Sequence, residues 1–85
     1  MSTTNDPSDF SNNNNADRES DLVQRLLHQI IRVKELIKYY ESLPNGAGNL
    51  GASILTDLVT EAYSSLVNYD VVLMHKYYDL LSNCD

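Results

Sequence analysis

The chain has 85 residues, a formal charge of −6 and one cysteine, Cys84, so it holds one domain with a small core, no internal disulfide, and the look of a reducing compartment. The acidic balance excludes long nucleic acid, whose phosphates need a basic surface, yet it leaves room for a small phosphorylated ligand held by a few local cations and backbone amides. No run approaches the roughly 18 apolar residues of a membrane span, and the polar, acidic N-terminus is unlike a secretory signal, so the expected location is the cytoplasm.

Residues Met1 to Asp17 are rich in Ser, Thr, Asn and Asp, include Pro7 and the Asn12 to Asn15 run, and offer Phe10 as their one sizeable apolar group after the initiator. Such a segment buries too little to offset its ordering entropy, so 1–17 is expected to be a disordered polar tail and 18–85 a single α-helical domain. From Asp17 or Ser20, either of which suits a cap, the pattern turns helical. Leu22, Leu26, Ile30, Val33, Ile37 and Tyr40 recur at steps of three and four, with a second stripe, Val23, Leu27, Ile31 and Leu36, beside them. Pro44 followed by Asn45 and Gly46 ends this first helix near Ser42 or Leu43.

The stretch Pro44 to Gly51 contains every glycine of the chain, Gly46, Gly48 and Gly51, and reads as a loop. A second helix is expected from Leu50 or Ser53 to Val67, with Ile54, Leu55, Leu58, Val59, Ala62, Tyr63, Leu66 and Val67 again forming a double stripe. Asn68, Tyr69 and Asp70 interrupt it, and Asp70 is placed to cap a third helix from Val71 to Leu81. The expected fold is all-α: a long N-terminal helix and two shorter ones forming a hairpin or three-helix bundle.

Two adjacent apolar stripes on each of the first two helices, and apolar residues around much of the third, exceed what one small subunit can hide. The sequence therefore predicts a homo-oligomer, with the first helix as the leading interface. The plainer alternative is that each second stripe is the flank of an ordinary core-facing arc.

Signatures of catalysis are missing: no Cys is near a His on a helical element, no carboxylates pair at helical spacing in an apolar surround, and no phosphate loop occurs, so no enzyme activity is expected. The string Gly46-Ala47-Gly48-Asn49-Leu50-Gly51 superficially matches a dinucleotide fingerprint, but that motif follows a strand and this one follows a helix. His28 and His75 lack Cys or acidic partners at ligand spacing, so neither metal nor cofactor is expected; His75, beside Lys76, reads first as part of a solvated face and second as a phosphate contact.

One arrangement carries more content. The glycine loop feeds the start of the second helix, where free amides and the helix dipole favour an anion and Asn49 and Ser53 add donors. Arg25 and Arg32 share one face of the first helix, Lys34 and Lys38 another. The plainer reading gives the glycines a turning and packing role. Of the six tyrosines, Tyr40, Tyr63 and Tyr77 fall on core stripes, whereas Tyr39, Tyr69 and Tyr78 are free to touch a ligand.

The run Tyr39-Tyr40-Glu41-Ser42-Leu43-Pro44-Asn45-Gly46, then Gly51-Ala52-Ser53-Ile54-Leu55, then Asp70-Val71-Val72-Leu73-Met74 with Tyr77 and Leu80, resembles small helical-hairpin proteins of bacteriophage and prophage origin over about residues 32–81. The resemblance implies a viral counter-defence protein of the host cytoplasm that binds and neutralises a host component. In its sharpest form it sequesters a small nucleotide-like anion, with Arg25, Arg32, Lys38, Tyr39, Gly46, Gly48, Asn49, Gly51 and Ser53 as expected contacts. The competing expectation is an acidic protein–protein adapter or inhibitor that engages a basic host protein.

Overall fold

The computed structural model describes the backbone from Pro7 and side chains from Arg18 to Asp85. Of the polar stretch expected to be a disordered tail, residues 1–6 lie outside the described residues; over 7–17 its side chains lie outside them too, but its backbone is helical and extends the first helix upstream of the start expected at Asp17 or Ser20. Among the described residues the chain is all-helical, with α1 at Pro7–Glu41, a short 3-10 turn at Pro44–Gly46, α2 at Asn49–Val67 and α3 at Val71–Ser82.

The core follows from helical periodicity. Leu22, Leu26, Ile30 and Val33 of α1, Leu55, Val59 and Ala62 of α2, and Met74 and Leu81 of α3 are buried in one cluster, each large side chain adding about 1.5–3 kcal/mol of burial. Ile37, Tyr40, Leu58, Leu66, Val71, Tyr77 and Tyr78 pack around it half-buried. The inner face of α2 also carries small residues, Ala52, Ala62 and Ser65, all buried, which let the neighbouring helices approach closely.

The helix ends have identifiable causes. Pro44 forces Leu43 into an extended conformation, φ −68° and ψ 140°, which stops α1. Asn45 and Gly46 then take positive φ, 60° and 70°, and turn the chain back. Gly48 caps α2 without a side-chain bond, so α2 begins at Asn49, a residue or more before the sequence suggests.

At the other end Tyr69 takes the left-handed conformation, φ 50°, while its N–H donates to the Leu66 carbonyl and that of Asp70 donates to the Ser65 carbonyl. That is a Schellman closure with tyrosine where glycine is usual. The Asp70 carboxylate accepts from the Leu73 amide at 3.2 Å and starts α3, as its position in the sequence implies. Lys34 lies against Tyr63, and Tyr40 against Gly48 and Gly51, so α1 and α2 run antiparallel.

Candidate functional site

The residues expected to bind an anion fall into separate places within one copy. Arg25 pairs with Asp21 at 2.9 Å and lays its guanidinium 5.1 Å from the Tyr78 ring centroid. Arg32 donates from Nη2 to the Leu81 carbonyl at 2.7 Å and from Nε to Gln29 Oε1 at 2.9 Å, so it closes the C-terminal end of α3. Lys38 contacts Glu35 at 3.1 Å, and Tyr39 is exposed with its ring tilted against Tyr40 at 5.6 Å.

The glycines organise Tyr40. Gly48 is buried, and a Cβ there would sit 2.1 Å from the Tyr40 carbonyl oxygen; one on Gly51 would meet the Tyr40 ring at 3.8 Å, an ordinary contact. Gly46 supplies positive φ, with the Asn49 side-chain amide beside it, and Ser53 is exposed on α2. Arg25 and Lys38 are about 20 Å apart along α1 at 1.5 Å per residue, so one copy cannot bring both arginines and the glycine loop to one small ligand.

Beside Gly51 lies a cavity of about 220 Å³ lined by Tyr40, Gly51, Ile54, Leu55, Cys84 and Asp85. The Tyr40 hydroxyl donates to the Asp85 carbonyl at 2.6 Å and ties this end together. Burial pushes the Cys84 thiol above its ordinary range, with Arg32 opposing and Asp85 adding to the rise. Apolar walls and a carboxylate disfavour an anion here.

A second cleft, of about 170 Å³, is bordered by Arg18, Glu19, Asp21, Leu22, Arg25, Val71 and His75. Its charges are mixed, and Glu19 is occupied by the Tyr69 hydroxyl, which donates to it at 2.5 Å. That hydrogen bond, then desolvation and the negative charge of Glu19, push the Tyr69 phenol upward.

The groove between α1 and α2 differs in character. It encloses about 280 Å³ and is lined by Lys34, Ile37, Lys38, Thr56, Val59, Thr60 and Tyr63. Ile37 and Val59 make an apolar floor, and Lys34 Nζ stands 5.7 Å from the Tyr63 ring centroid. The Thr56 and Thr60 hydroxyls donate to backbone carbonyls of their own helix, at 2.7 Å and 2.9 Å, which leaves their oxygens as acceptors.

Two ammonium groups over an apolar floor with one aromatic ring suit an anion with a flat apolar body. Of the expected contacts, Lys38 alone lines this groove. Lys34, Thr56, Thr60 and Tyr63 were not among them, although Lys34 and Lys38 share a face by their spacing of four and Thr56, Thr60 and Tyr63 by steps of four and three. Tyr63, expected in the core, is exposed at its edge.

Among the described residues no three His, Cys, Asp or Glu side chains converge as a metal site, and no helix is long and apolar enough to cross a membrane. Comparison with known proteins finds no family model, no curated protein and no solved structure that matches this chain.

Proposed function

We propose that this chain is a non-enzymatic helical protein that associates with copies of itself and sequesters a small nucleotide-like anion, acting as a phage counter-defence protein in the host cytoplasm. The observation that carries the reading is the amount of apolar surface left over once the core is formed. Leu27 and Ile31 of α1, Leu50, Ile54 and Val67 of α2, and Val72, Leu73 and Leu80 of α3 are all exposed. Val67, at 82 % exposure, is nearly bare among the described residues. Scattered apolar residues are ordinary on a surface, but runs at helical spacing on three helices favour burial against another molecule.

The anion is placed in the α1–α2 groove because its two lysines and Tyr63 offer charge and a stacking face together. Thermal melting against a panel of cyclic and linear nucleotides tests this. A binder raises the midpoint, by about 2.7 kcal/mol of added stability at a hundredfold excess over Kd, and Lys34→Ala with Lys38→Ala removes the rise. A flat panel favours the second reading, an acidic adapter for a basic host protein. That reading draws support from the exposed carboxylates Asp57 and Glu61 on α2 and Asp79 and Asp85 beyond it. Salt-sensitive capture of a basic partner would then be expected.

A further inference from the structure

We propose that copies of this chain join through two unlike stripes, α1 of one copy lying parallel to α2 of the next. On α1, Leu27, Ile31, Lys34 and Lys38 follow one another at steps of four, three and four, and so form one stripe. On α2, Leu50, Ile54, Asp57 and Glu61 repeat the same steps. All eight side chains are exposed, the apolar four at 37 %, 59 %, 75 % and 53 % in chain order.

Each stripe is apolar in its N-terminal half and charged in its C-terminal half, basic on α1 and acidic on α2. Laid parallel with Leu27 opposite Leu50, the register sets Ile31 opposite Ile54, Lys34 opposite Asp57 and Lys38 opposite Glu61 over about 16 Å of helix. The alternatives are worse on simple grounds. Like stripes in parallel set lysine on lysine or carboxylate on carboxylate, and any antiparallel pairing sets charges against leucine and isoleucine. Lys38 is held at present by the exposed Glu35, and Lys34 by the exposed Tyr63; both contacts are exchangeable with solvent.

Within one chain α1 and α2 run antiparallel, so the parallel pairing exists only between copies. The two stripes also sit on different faces, since Lys34 and Lys38 border the α1–α2 groove whereas Ile54 lines the cavity beside Cys84 and Asp85. A first contact thus leaves each copy with one unused stripe. Association of that kind is head-to-tail, and closes into a ring or continues.

This inference rests on the self-association proposed above, and mixing variants separates the two. Ile31→Asp disables the α1 stripe and Ile54→Asp the α2 stripe, both at solvent-facing positions; circular dichroism checks that each stays helical. Light scattering on the full chain should give a single-copy mass for each variant alone and a two-copy mass, with nothing larger, for the equimolar mixture. Lys34→Glu with Lys38→Glu should weaken association, and adding Asp57→Lys with Glu61→Lys in the same chain should restore it. Variants that still associate alone, or a mixture that stays single-copy while the unaltered chain associates, overturn the pairing and leave self-association standing. An unaltered chain that is itself single-copy overturns both.

Discussion

Gly48 and Tyr40 meet backbone to backbone: a methyl group on Gly48 would stand 2.1 Å from the Tyr40 carbonyl oxygen and 2.8 Å from its Cα. Main-chain atoms cannot swing aside as a side chain can, so the α1–α2 corner must open to admit a Cβ. Gly48→Ala is expected to destabilise by about 3 kcal/mol, the upper end of overpacking costs, seen as a lower midpoint in chemical denaturation. A cost below about 1 kcal/mol would show that the corner yields freely.

Asp70 is the N-cap of α3, and α3 carries Met74 and Leu81 into the core. Asp70→Ala should cost about 1 kcal/mol, and Asp70→Asn much less, because the carboxamide oxygen still accepts from the Leu73 amide. Equal losses for the two would assign the effect to charge instead of the cap.

Tyr69 is strained and tethered at once. Its left-handed backbone disfavours a side chain by about 1 kcal/mol, so Tyr69→Gly should raise the melting point if the bond to Glu19 is weak, as its exposure suggests. The phenol is pushed above the ordinary 10.0, so the contribution of that bond is complete below pH 10.0 and fades as pH rises through the folded-state value. Tyr69→Phe should therefore differ from the unaltered chain in melting point at neutral pH and converge with it in strong alkali. A gap of constant size across that range would remove the bond to Glu19 as its cause.

Lys34 and Lys38 belong both to the groove and to the proposed stripe, so an anion in the groove competes with carboxylates of the next copy. A nucleotide that raises the melting point should also lower the mean mass in solution. Unchanged mass at saturation would place the ligand elsewhere.

Much of the fold was legible because the decisive signals are local. The α1 stripe from Leu22 to Val33 fixes its buried face by spacing alone, and Asp70 ahead of two valines marks a helix start. The start of α2 was harder to read, since Gly48 caps it through backbone geometry that leaves no side-chain signature. Periodicity puts Tyr63 within reach of the core, but the chain places it at the edge, exposed and with Lys34 over its ring, because helical spacing sets the face of a residue and not how far its neighbours cover it.

The site was less legible for a related reason. Arg25 and Arg32 do share a face, as their spacing of seven requires, but the Tyr78 ring and Leu81 carbonyl that engage them come from α3, more than forty residues away. The glycines spell a loop in sequence, and their closeness to Tyr40 emerges once α1 and α2 are folded against each other.

In the proposed reading, leftover apolar surface draws copies together. Light scattering of the unaltered chain across a wide concentration range measures this most directly. The expected mass is a multiple of 9.6 kDa at working concentration and falls on dilution. A mass of one chain throughout, with Ile31→Asp and Ile54→Asp leaving it unchanged, would contradict it.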